Sequence, residues 1–224
     1  INYQIPWAKK ALKTALMREQ SVLEEQLNAW SHGIGALLGI AALVLLIIAV
    51  DQTNPWGLFS VLIYGGSIVL LFLASTCYHA VKGAKRKHYF RVADHISIYF
   101  LIAGTYTPVL LLVLPNGLGW KLFWTVWGVA AFGFLLKLFF TGRFERFSTL
   151  LYLAMGWLII IPFSELSSAL DPAAILWLFA GGLAYTVGIL FYVIQKIPFN
   201  HVIWHLFVLS GASCHFFMVY LYVI

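Results

Sequence analysis

Three histidines, a serine and an aspartate interrupt a chain that is otherwise almost entirely apolar. Ser75 and His79 stand in Ser-Thr-Cys-Tyr-His, Asp94 in Ala-Asp-His, and His201 and His205 in His-Val-Ile-Trp-His. Helical residues four apart share a face, with Cβ atoms about 5–6 Å apart. His201 and His205 can therefore bind one ion together, and Ser75 and His79 point the same way as each other. Three imidazoles meeting at a point match the ligand set of a catalytic zinc site, where a water completes the tetrahedron. Asp94 has the chemistry to orient that water, to take its proton, or to hold a ligand imidazole. Ser75 could hydrogen-bond the water or a developing oxyanion.

The elements that must position these groups are membrane spans. Of 224 residues, 62% are hydrophobic and only 10% charged, and the mean hydropathy is +0.91. A soluble domain of this length needs far more polar surface. Seven apolar runs, at 29–50, 56–79, 92–114, 120–140, 147–163, 172–195 and 202–224, are each about long enough for a bilayer of ~30 Å. The fifth is the shortest and is expected to stand nearly upright or to draw on flanking residues. The fold class is thus an all-α integral membrane protein, a seven-transmembrane helix bundle. The first run is too long for a signal h-region and no small-residue cleavage site follows it, so no cleavable signal peptide is expected.

Charge orients the bundle. The net charge is +6, but the basic residues are split among loops rather than gathered on one face, which argues against nucleic-acid binding. Lys9, Lys10, Lys13 and Arg18 precede the first span. Lys82, Lys85, Arg86, Lys87 and Arg91 fall between the second and third, Arg143 and Arg146 between the fourth and fifth, and Lys196 between the sixth and seventh. The alternate loops hold almost none. The positive-inside rule then gives a cytoplasmic N-terminus and an external C-terminus in the cell membrane. Trp30 and Trp204 fall near the inner interface, and Trp56 and Trp120 near the outer one, as an aromatic belt requires. Residues 1–28 form a cytoplasmic or interfacial segment ahead of the membrane domain, 29–224. Within it, residues 6–27 read as an amphipathic helix, lying on the inner surface or packed on the bundle.

This topology, derived from lysines and arginines alone, brings His79, Asp94, His201 and His205 to one depth in the inner leaflet. Ionisable groups there are costly, and by default functional. Blander readings stand beside the metal site. A single intramembrane histidine often makes only an interhelical hydrogen bond. Asp94 is also a candidate N-cap of the third span, and Ser75 could bond a backbone carbonyl of its own helix. His32 opens the first span at the right depth, bordering the site or making an interfacial hydrogen bond. His95 is a fallback ligand, rotated about 100° from Asp94. His88 belongs to the basic loop. His215 lies about 15 Å beyond His205 along its helix, too far to share the ion, and either packs or lines a cavity. Cys77 and Cys214 lie within spans and read as packing residues rather than a disulfide. Gly65, Gly66, Gly181 and Gly182 permit close helix contact.

The motifs resemble those of the hemolysin III proteins, the bacterial branch of the progestin and adipoQ receptor superfamily. The matches are Glu-Gln-Leu-Asn-Ala-Trp-Ser-His-Gly-Ile-Gly at 25–35, Ser75 with His79, Asp94, Ala-Gly-Thr-Tyr-Thr-Pro at 103–108, and the His201/His205 pair. The resemblance implies that His79, His201 and His205 are zinc ligands near the cytoplasmic face, with Asp94 and Ser75 holding the metal-bound water. It also implies a ceramidase-like hydrolysis of lipid amides or esters, bearing on membrane lipid homeostasis. The substrate would be a membrane lipid, its tail among the spans, and the basic loops would attract anionic lipid. Two other readings remain: a cytolytic or channel-forming protein, which should show a polar stripe along several spans, and a membrane-state sensor or receptor with structural zinc.

Overall fold

The computed structural model describes residues 20–224. These residues are mostly helical, with no strand among them. The elements are α1 (Val22–Ala49), α2 (Gly57–Ala80), α3 (Ala84–Pro108), α4 (Gly117–Phe140), α5 (Glu145–Gly156), α6 (Phe163–Ala169), α7 (Pro172–Val193) and α8 (Asn200–Tyr222). Six helices are long and apolar enough to cross a membrane, and the bent pair α5–α6 makes a seventh crossing when counted as one. The protein is an all-α integral membrane bundle. Its helices neighbour one another in chain order, and the ring closes where α8 packs on α1.

The surface follows the same logic. On α1, Asn28, His32, Gly35, Gly39, Ala42 and Leu46 are buried at helical spacing. Trp30, Leu37 and Ile48 on the opposite side are exposed. An exterior of large apolar side chains over a stripe of small and polar ones suits a helix whose outer face meets lipid.

Several boundaries differ from those read off the hydropathy. α1 begins at Val22 rather than 29, because Ser21 and Glu24 form a reciprocal capping box that satisfies two free N–H groups. Residues 22–28, assigned to the N-terminal segment, are therefore continuous with the first span. The rest of the amphipathic segment, residues 1–19, lies outside the described residues. α3 begins at Ala84, so Lys85, Arg86, Lys87 and the exposed His88 ride on two extra helical turns rather than in a loop. Gly65 closes on Leu43 and Gly181 on His215, whereas Gly66 and Gly182 face open space. Both cysteines are free.

The fifth crossing departs most from expectation. It does draw on flanking residues, running from 145 to 169, but as a broken pair of helices rather than one upright helix. A single 3-10 turn (Trp157–Ile160) follows α5, and α6 leaves at 54°. Pro162, between them, has no N–H to continue the ladder. Backbone freed at membrane depth needs internal partners, and Tyr106 of α3 supplies them. Its hydroxyl lies 3.0 Å from the Met155 carbonyl and 2.8 Å from that of Gly156, and accepts from the Ile159 N–H. α3 itself ends at Pro108 and loosens into a π turn (Val109–Val113).

The start of α5 is held by charge. Lys137 of α4, fully buried, donates to Glu145 at 2.6 Å. Arg91 reaches the same carboxylate at 3.4 Å, and the Gly142 N–H at 2.8 Å. A buried ammonium tolerates its site only while paired. Glu145→Gln should therefore lower stability by about 3 kcal/mol or more, whereas Lys137→Met/Glu145→Gln should recover much of it. Thermal unfolding of the purified variants in one detergent measures both.

Candidate metal centre

The histidine cluster is assembled from three helices at one end of the bundle. α2 delivers His79 in its last turn, α8 delivers His201 and His205 in its first two, and α1 lies across both. The ligand atoms of His79, His201 and His205 all lie within 4.8 Å of one another. Ring centroids are 5.1 Å apart for His79–His201, 5.0 Å for His79–His205 and 4.6 Å for His201–His205. Among the described residues this is the one group of three or more histidine, cysteine or carboxylate side chains close enough to share an ion.

The start of α8 is set by α1. Phe199, just before the helix, adopts a left-handed backbone with φ 56°, which is unfavourable for a bulky residue. Its N–H donates to the buried Glu24 carboxylate at 2.9 Å, and Asn200 ties back to the Phe191 carbonyl. His201 and His205 follow directly.

α1 also fixes which nitrogen of His79 and of His205 is free. His79 Nδ1 lies 2.8 Å from Glu25 Oε2; a carboxylate accepts, so the proton sits on Nδ1. The lone pair is then on Nε2, a buried atom with no hydrogen-bond partner. Lys87 holds the other oxygen of Glu25 at 2.7 Å. His205 Nδ1 lies 3.2 Å from the Asn28 carbonyl, with the Ser31 hydroxyl at 3.3 Å. That ring too donates from Nδ1 and keeps Nε2 as its acceptor. Metal-binding imidazoles are oriented in this way, by a carboxylate or carbonyl on the far nitrogen. The residues therefore fit a divalent metal: the three ligand nitrogens converge, and the second nitrogens of His79 and His205 are engaged.

Asp94 and Ser75 border the cluster without joining it. Ser75 is buried and Asp94 half-buried. The two side chains interact, and the carboxylate lies in the field of His79 and Arg91. Asp94 is not the N-cap of its helix, since Gly83 holds that position. It stands well inside α3, so the capping alternative is overturned by the longer helix.

The remaining histidines separate cleanly. His32 borders the site: its ring stacks on His205 at 3.5 Å and 10°, and neither nitrogen makes the interfacial hydrogen bond considered for it. His95 turns away to Glu145, 3.6 Å from Nδ1, and is not in the ligand group. His215 is buried further along α8 and lines a cavity. Trp204 also turns inward onto that cavity.

Glu25 and Asn28 fall in the 25–35 motif, but sequence reasoning gave them no role at the site, because starting the first span at residue 29 left them outside the membrane. The signal that would have included them is the capping box at Ser21. If Glu25 orients His79, Glu25→Gln should weaken metal binding about 10–100-fold, while Lys87→Met has a smaller effect. Competitive titration of the purified protein against a metal chelator separates these outcomes.

Known proteins bear on the assignment. A family model described as Haemolysin-III related matches residues 20–216, which include every residue of the cluster and its supports. A Bacillus subtilis protein named hemolysin-3 homolog is 47% identical over 203 residues, 90% of this chain and 95% of its own length. The hemolysin-3 of Bacillus cereus is 46% identical over 206 residues, 92% of this chain and 94% of that one. Similarity extends to the human monocyte to macrophage differentiation factor, 30% identical over 208 residues, 89% of this chain and 84% of the relative. The chain belongs to the haemolysin-III related family of multi-pass membrane proteins.

Proposed function

We propose that the protein is a zinc-dependent hydrolase of the cell membrane, cleaving amide or ester bonds of membrane lipids near the cytoplasmic face. One observation carries this reading: three imidazoles converge with an unpaired buried nitrogen, and an acid–hydroxyl pair stands at their edge. Structural zinc usually has four protein ligands, catalytic zinc three.

When bound, zinc supplies a Lewis acid for the scissile carbonyl and lowers the pKa of water to around 7. The chain's own residues do the rest. His79, His201 and His205 would hold the ion, kept in register by Glu25 and Asn28. Asp94 takes the proton of the attacking water and returns it to the nitrogen or oxygen that leaves, so that one C–O bond forms as the C–N or C–O bond of the lipid breaks. Ser75 keeps the Asp94 carboxylate turned to that task. The adjoining cavity receives hydrocarbon. The basic residues at the head of α3 would attract anionic head groups, and the same charges support a cytoplasmic orientation for this end. A conducting pore finds less support, because among the described residues the buried charged groups and the histidine cluster gather at one end of the bundle instead of lining a path through it.

Three measurements on the purified protein test this. Elemental analysis should find about one zinc per chain, lost in His205→Ala. Release of fatty acid from a lipid amide should disappear in that variant and on chelation, and return when zinc is restored. Asp94→Asn should keep its metal while losing about 10²–10⁴ in rate. Full hydrolysis after verified loss of zinc refutes the mechanism.

A further inference from the structure

Beside the histidine cluster the bundle holds a partly open cavity of about 120 Å³, lined mainly by α3, α5, α7 and α8. Tyr192, a lining residue, has its ring centroid 6.1 Å from that of His201, so the cavity adjoins the site. His215 lines it too, roughly 15 Å beyond His205 by the helical rise. Facing His215 is Tyr185 of α7, with ring centroids 5.7 Å apart.

Most polar groups along this wall are satisfied within the protein. Tyr106 bonds the broken backbone of the fifth crossing, Tyr152 donates to the His95 carbonyl, and the Trp157 indole donates to Thr186. The Tyr185 hydroxyl and His215 Nδ1 are buried without a hydrogen-bond partner. Unmet donors and acceptors are costly in an apolar interior, and here two occur together, one from α7 and one from α8.

Both rings also sit in places kept clear for them. A Cβ on Gly181 would lie 2.3 Å from His215 Nε2, and one on Gly211 would lie 2.8 Å from the Tyr185 ring. Each of α7 and α8 thus has a glycine where the other helix presents its polar ring. His215 Nε2 donates to the Leu178 carbonyl at 3.1 Å, which leaves Nδ1 as an acceptor. The Tyr185 hydroxyl is free to donate. A donor and an acceptor side by side complement an alcohol, which is both.

We propose that Tyr185 and His215 form a polar subsite for a hydroxyl carried on the hydrocarbon tail of a lipid whose head lies at the histidine cluster. This rests on the hydrolase reading for the position of the head, and narrows its substrate class to lipids with hydroxylated chains. At ~1.2 Å per bond of extended chain, the ~15 Å offset corresponds to about a dozen bonds, placing the hydroxyl near mid-chain.

The test uses the purified full-length protein in detergent, titrated with stearic acid and with 12-hydroxystearic acid, which differ only in the alcohol. Binding is read by displacement of a fluorescent fatty acid. The hydroxylated acid should bind at least about fivefold more tightly. Tyr185→Phe, which keeps the ring, should bring the two to parity while leaving stearic acid unchanged. Equal affinities in the unmodified protein, a preference that survives Tyr185→Phe, or binding of neither acid overturns the proposal. Because the readout is binding, a protein that hydrolyses nothing still reports on the subsite, and lipid-amide turnover measured alongside speaks only to the hydrolase reading.

Discussion

The structure turns on keeping imidazoles neutral and aimed inside a low-dielectric bundle. A charged ring there is expensive, and an idle ring with two free nitrogens has no fixed orientation. An acceptor placed behind His79 and another behind His205 answer both difficulties for those two rings. The Glu25 carboxylate holds the Nδ1 proton of His79, and the Asn28 carbonyl holds that of His205. With those protons fixed, the opposite nitrogens present lone pairs inward. Both acceptors sit in the first turns of α1, and Glu24 from the same stretch grips the turn that launches α8. The end of one helix therefore sets the position and the protonation pattern of side chains on two others.

This explains why α1 tolerates carboxylates where hydropathy alone would end a span. Glu24 is needed to close its own capping box and to hold Phe199; Glu25 is needed behind His79, with Lys87 neutralising its far side. The two extra turns at the start of α3 serve the same purpose, since they carry Lys87 and Arg91 to the partners they reach. Charge at this end of the bundle is thus used in pairs across helices.

How much of this could be read from the sequence follows from the range of each interaction. The spans are legible because apolar length is a local property, and the convergence of His79, His201 and His205 is legible because helical spacing and topology suffice. The supports are not, because Glu25 meets His79 across 54 positions and Asn28 meets His205 across 177. Such contacts depend on helix rotation, which hydropathy does not encode. Lys137 was a missed local clue: a lone ammonium inside an apolar run marks a buried partner, here Glu145. Pro162 was another, since a proline at the end of the shortest run pointed to a break rather than a short helix.

The elbow at that proline ties two parts of the molecule together through one oxygen. The Tyr106 phenol stands in for the water that would otherwise solvate the severed ladder, and its ring is part of the cavity wall. An occupant bulky enough to push that ring aside would unlatch the fifth crossing as it entered. Guest size and the bend of that crossing are thereby mechanically linked, with a single aromatic side chain as the pin.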